Sequence, residues 1–98
     1  MKTLEEIKDI LKRHKEEVIR EYKVKEIGIF GSIVRGEQKK RRSNIDILVE
    51  YSELPDLLKL IELERRLQRI LRKKVDLVEK HGIRPELKDR ILKEVVYI

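Results

Sequence analysis

The 98-residue sequence contains no cysteine, which excludes disulfides, zinc-thiolate sites, iron–sulfur clusters and thiol nucleophiles together. Tryptophan is absent, with one phenylalanine and three tyrosines, too few aromatics for the stacking platform on which single-strand RNA binders lay their bases. The two histidines, His14 and His81, have no partner at metal-ligand spacing and sit in no nucleophile context. A Ser-His-Asp hydrolase is therefore set aside, and both histidines read as structural or surface residues. No apolar run approaches the roughly 20 residues that cross a bilayer. The opening residues, Met1 to Glu6, are too acidic and too helical for a signal peptide, so the expected compartment is the cytoplasm, with no membrane partner. Glycine and proline number only four and two. They fall between periodic segments, with no repeat or linker, and residues 1–98 read as one domain with one core.

Charge is what the chain has in abundance. Charged residues make up 45%, with 25 Lys and Arg against 19 Asp and Glu, a net charge of +6. The excess favours an anionic partner such as a nucleotide, a nucleic acid or an acidic protein. The same composition, with a single Asn and a single Met, equally fits the surface of a hyperthermophile protein. Periodic Ile, Leu and Val argue against a disordered polyampholyte.

Leu4, Ile7, Leu11, Val18 and Tyr22 recur at helical spacing, and Thr3 is placed to cap an amphipathic helix over about 3–22. Val24, Ile27, Ile29 and Phe30 form a β-rich run that stops at Gly31-Ser32, a strand followed by a tight turn and a brief helix through Arg35. Gly36 to Ser43 is a basic loop. Ile45 to Val49 is the strongest strand signal in the chain. Pro55 opens a second helix with Leu58, Ile61, Leu67 and Leu71 near one face, and Val75 to Val78 is a third strand. Beyond His81-Gly82, a last helix with Pro85 in its first turn carries Leu87, Ile91 and Val95 towards the C-terminus. The order predicts an α/β (α+β) fold, a small mixed sheet with helices packed on one face and the other face open to polar ligands.

Three features converge on that open face. Gly31-Ser32, with Arg35 and Gly36 just after it, is an ordinary turn dipeptide or a phosphate-binding turn, in which glycine lets backbone amides approach an anion and serine adds a donor. Asp46 lies inside the best strand. Alternation sends Ile45, Ile47 and Val49 to the core and Asn44, Asp46 and Leu48 to the other face, where Asp46 is either a solvated residue or a ligand. Asp76, between Val75 and Leu77, is a second strand carboxylate. If the two strands pair, Asp46 and Asp76 share a face within reach of one divalent cation, and hard oxygen donors without cysteine point to Mg²⁺ or Mn²⁺. Two carboxylates beside a phosphate-binding turn imply metal-assisted phosphoryl or nucleotidyl transfer.

The stretch Gly31-Ser32-Ile33-Val34-Arg35-Gly36, followed by Ser43-Asn44-Ile45-Asp46-Ile47-Leu48-Val49, resembles the nucleotidyltransferase signature of the DNA polymerase β superfamily. With Val75-Asp76-Leu77-Val78 and the ending Arg90 to Val95, the whole chain is similar to a minimal nucleotidyltransferase of the MNT family. The resemblance implies a polymerase β-like nucleotidyltransferase fold. It implies that Gly31, Ser32, Arg35 and Ser43 attend the nucleotide, that Asp46 binds metal, and that Asp76 assists deprotonation of the attacking hydroxyl. It further implies ATP as substrate with Mg²⁺, and an antitoxin role in which AMP is transferred to a tyrosine of a HEPN-domain toxin.

One position departs from the pattern. The family's first catalytic carboxylate falls at residue 44, where this sequence has Asn44. Asparagine is nearly isosteric with aspartate and its carbonyl still contacts a hard cation, but it supplies no charge. The expectation is weakened metal binding and impaired catalysis, either in a degenerate member acting by occlusion alone or through an inactivating Asp→Asn substitution. The run Gln38 to Arg42 is a solvated loop or a grip for an acidic partner or RNA, and nucleic acid is the less favoured partner. The apolar ends of the long helix and the tail Val95 to Ile98 are candidates for a protein interface.

Overall fold

The structure, a computed structural model, describes residues 3–36 and 44–98. Thr3 caps the first helix, α1 (Leu4–Tyr22), in a reciprocal capping box. Its hydroxyl accepts the Glu6 N–H at 3.2 Å while the Glu6 carboxylate accepts the Thr3 N–H. This satisfies two amide donors that the helix start leaves without partners. Strand β1 (Val24–Phe30) runs into a short helix α2 (Ser32–Arg35), and strand β2 (Ile45–Tyr51) returns antiparallel to β1. Helix α3 (Leu57–Leu71) is the crossover that lets strand β3 (Val75–Glu79) pair parallel to β2. A single 3₁₀ turn (Lys80–Gly82) leads to α4 (Pro85–Glu94) and a two-residue strand β4 (Val96–Tyr97). The sheet order is β3-β2-β1-β4.

The main core lies between one face of the sheet and the helices α1 and α3. Ile7, Leu11 and Val18 of α1 meet Leu63, Leu67 and Leu71 of α3 over Ile27, Ile29, Ile45, Ile47 and Val49, all at most 2% exposed. Outside this core, Arg66 of α3 ties the two helices by bridging Glu17 and Glu21 of α1.

Four sequence expectations need correction. Leu58 and Ile61 do not face the core; they are 66% and 36% exposed. The face that packs is Leu60, Leu63, Leu67 and Leu71, and Leu58 lies nine residues from Leu67, about two and a half turns, on the far side of the helix. Asp56 rather than Pro55 starts that helix, its carboxylate accepting the Lys59 N–H at 2.8 Å.

The second face of the sheet is also not left bare. Leu48 points to it as alternation requires, but there it joins Phe30, Ile83 and Ile91 in a smaller core, with Leu87 and Val95 against them. Helix α4 therefore covers part of the face expected to be open.

The last helix stops at Glu94 rather than running on through Val95. The β-branched tail becomes the edge strand β4, pairing Tyr97 with Gly28 and Val96 with Ile29, and the Ile98 N–H donates to the Ile27 carbonyl at 3.0 Å. Gly28 makes this possible, since a Cβ there would lie 2.5 Å from Val95 Cγ2 and 3.1 Å from the Tyr97 ring. The tail is thus an integral sheet edge, with Tyr97 43% exposed. No helix among the described residues is long and apolar enough to cross a membrane.

Candidate active site

The site forms where β1 ends and β2 and β3 begin. Gly31 leaves β1 at φ +84°, in the region that favours glycine. Its carbonyl accepts the Val34 N–H at 3.0 Å, which closes the turn into α2. Across the antiparallel pair Phe30 faces Asp46, and a Cβ on Gly31 would sit 2.0 Å from Asp46 Oδ2. The turn is therefore packed directly against the carboxylate. No side chain larger than glycine fits at residue 31 while Asp46 keeps its place.

On the other side of β2 the parallel register sets Asp46 beside Asp76 and Ile45 beside Val75. Both carboxylates line a cleft of about 440 Å³, floored by Phe30 and Val78 and bounded by Leu87, Arg84 and Arg90 from α4 and the turn before it. Burial, then the neighbouring Asp76, pushes the Asp46 carboxyl from 3.8 up to about 6; Arg35 pulls it down and Glu94 adds to the rise. Such a site favours whatever brings positive charge between the carboxylates.

Asn44, immediately before β2, is drawn into the same constellation, its Nδ2 donating to Asp76 Oδ2 at 3.0 Å. The amide thus holds one of the oxygens that a cation would use. Among the described residues, no group of three His, Cys, Asp or Glu is arranged to hold a metal ion. The donor set is two carboxylates plus an amide carbonyl, which fits a hard cation that also takes oxygens from a phosphate substrate.

Gly31, Arg35, Asn44, Asp46 and Asp76 are brought together at these strand ends, with Ser32 next to Gly31 at the start of α2. Ser43 and the basic run 38–42 lie outside the described residues. His81 stays apart from the carboxylates, beside Glu79 at 3.2 Å, and His14 lies on α1 near Glu17.

A residue the sequence reading missed is Glu94, in the last turn of α4. Its Oε2 accepts the Gly31 N–H at 2.8 Å, and Arg35 Nη1 reaches its two oxygens at 2.9 and 3.0 Å. The contact spans 59 to 63 residues of sequence, beyond any local pattern. Arg84 and Arg90, which line the cleft, are likewise not among the site residues that the sequence singles out.

The family model that matches is the nucleotidyltransferase domain, over residues 11–98. The chain is 50% identical to the protein adenylyltransferase MntA of Thermococcus cleftensis over 98 residues, which is 100% of this chain and 98% of that one. Among solved structures it is similar to a toxin-antitoxin complex crystallised with AMP-PNP, with TM-score 0.71 and 26% identity over 87% of this chain and 69% of that one. The fold is also shared with the tri-AMPylated Shewanella oneidensis HEPN toxin complexed with its MNT antitoxin, with TM-score 0.66 and 22% identity over 91% of this chain and 69% of the matched one.

Proposed function

The chain belongs to the nucleotidyltransferase domain family, and on that premise we propose that residues 1–98 form one minimal nucleotidyltransferase domain, the antitoxin of a HEPN/MNT pair. Its chemistry is transfer of AMP from ATP to a tyrosine hydroxyl of the HEPN-domain toxin. The observation that carries the reading is the Asp46-Asp76 register beside the Gly31-Ser32 turn.

In this reading Gly31 and Ser32 hold the triphosphate, and Arg35, anchored on Glu94, supports the turn. Ser43, outside the described residues, also attends the nucleotide in this reading. Asp46 and Asp76 would hold Mg²⁺ or Mn²⁺, with the Asn44 carbonyl a weak third donor; the cation supplies neutralisation of charge on the reacting phosphate. Asp76, on β3 beside Asp46 and exposed to the cleft, takes the proton of the toxin hydroxyl. The hydroxyl oxygen bonds to the α-phosphorus as the bond to pyrophosphate breaks. Phe30, Val78 and Leu87 give the cleft an apolar lining beside the carboxylates.

Asn44 bears on how much of this chemistry survives. It removes one negative charge and donates to Asp76, so cation binding is weakened and transfer is slowed or lost. That hydrogen bond favours a second reading, an antitoxin that neutralises its partner by occlusion. A basic RNA-binding module would rest on residues 38–42 alone, without an aromatic platform.

The test is labelling of the HEPN partner with ATP carrying a radioactive α-phosphate and Mg²⁺, by this chain and by Asn44→Asp. Labelling by the variant alone, or far more strongly by the variant, is the expected result. If neither labels while the complex still forms, occlusion is the function; if neither labels nor binds the partner, the antitoxin reading fails.

A further inference from the structure

Glu94 stands where three elementary costs meet. It closes α4, and the C-terminus of a helix disfavours a carboxylate. Its side chain is only 15% exposed, which penalises a charge. It also adds a like charge near Asp46. A neutral residue would avoid all three, and local rules broken together mark a functional constraint.

What the carboxylate does in return is visible. One oxygen accepts the Gly31 N–H at 2.8 Å, and both take Arg35 Nη1 at 2.9 and 3.0 Å. Charge-assisted bonds of this kind are the strong ones. They tie the two ends of the turn, Gly31 and Arg35, to the last turn of α4. They also act where the backbone is most exacting, at the φ +84° residue packed against Asp46 Oδ2.

We propose that Glu94 is the positioning residue of the nucleotide-binding turn, fixing Gly31 and Arg35 before the nucleotide arrives. The proposal rests on the nucleotidyl-transfer reading above. It assigns α4 a role beyond walling the cleft, because the turn's geometry depends on the docking of the C-terminal helix. It also divides the work of the turn: the Gly31 amide is spent on Glu94, so Gly31 serves the triphosphate by its missing side chain, which lets the phosphates approach, and Ser32 supplies the donor.

The test uses the full chain, AMP-PNP with Mg²⁺ as probe, and two variants, Glu94→Gln and Glu94→Ala. Binding is read by calorimetry and the Gly31 amide by hydrogen exchange. Val18→Ala, which loosens the α1–α3 core on the other face of the sheet, controls for general destabilisation. Expected results are faster Gly31 exchange in both variants, with AMP-PNP affinity down roughly tenfold or more in Glu94→Ala, less in Glu94→Gln, and unchanged in Val18→Ala. Affinity preserved in Glu94→Ala overturns the positioning role alone, as does an equal loss in Val18→Ala. Affinity that rises in Glu94→Ala overturns it in the opposite sense, since the carboxylate would then occupy the phosphate's place. No AMP-PNP binding by the unaltered chain overturns the nucleotidyl-transfer reading and the positioning role with it.

Discussion

Replacing Asp46 by asparagine should stabilise the metal-free protein at neutral pH, even though it removes a proposed ligand. Burial, the Asp76 carboxylate and Glu94 together outweigh Arg35 and raise the Asp46 carboxyl from 3.8 to about 6. A carboxyl whose pKa rises on folding holds its proton more tightly in the folded chain. Its contribution to stability is therefore complete below about pH 3.8 and is lost as pH rises through about 6. Above that window the ionised group is a net cost. The interval converts to about 3 kcal/mol at full strength. Because Asp46 faces an open cleft, solvent screening reduces this to about 1–2 kcal/mol. Asp46→Asn keeps the shape against Gly31 and removes the charge, so it recovers about that much. For a domain of this size each kcal/mol moves the melting temperature by about 4–8 °C. Guanidinium unfolding in EDTA at about pH 7.5 and about pH 4 measures both halves of the argument. The variant should be the more stable at the higher pH, and its advantage should shrink towards zero at the lower. A variant no more stable at pH 7.5, or equally advantaged at both, refutes the reasoning.

Two further outcomes follow from the same structure. Asn44→Asp exchanges the 3.0 Å amide-carboxylate bond to Asp76 for a pair of like charges. The metal-free variant should lose about 0.5–1.5 kcal/mol, partly exposed as the pair is, and millimolar Mg²⁺ should restore it, giving a metal-dependent melting temperature that the unaltered chain shows weakly or not at all. A variant melting curve insensitive to Mg²⁺ would count against a cation at these carboxylates. Tyr51 is 5% exposed and its hydroxyl has no hydrogen-bond partner among the described residues, and burial, then Glu79 and Tyr22, pushes its pKa up to about 12. Tyr51→Phe removes an unsatisfied buried polar atom and should stabilise the chain by about 0.5–1 kcal/mol in denaturant unfolding; a loss of stability would show that the hydroxyl is satisfied in solution.

The parts of the site legible in the sequence are those where strand periodicity does the placing. Alternation along Ile45 to Val49 fixes which side chains leave the core. A carboxylate at Asp46 or Asp76 can then be recognised as out of place in a strand, and a glycine at the end of β1 as a turn. What alternation cannot supply is the partner across each interface. Leu48 obeys the pattern and is still 1% exposed, because α4 lies over its face, and nothing local to β2 announces that helix. Leu58 and Ile61 are apolar at near-helical spacing, yet the contact stripe of α3 is set by which turns reach the sheet. Leu87, Ile91 and Val95 keep a four-residue spacing that extends the last helix to Val95; pairing of the tail with β1, made possible by the missing Cβ at Gly28, outweighs that local preference. Glu94 belongs to a different class. The residues it holds lie some 60 positions away, and its significance is a tertiary fact. Yet the test that singled out Asp46, a charge where its own element disfavours one, applies equally to a carboxylate in the last turn of a helix. Asp46 and Glu94 thus violate local rules on two elements distant in sequence, and the turn that lies between them, Gly31 to Arg35, is the place where both violations are explained.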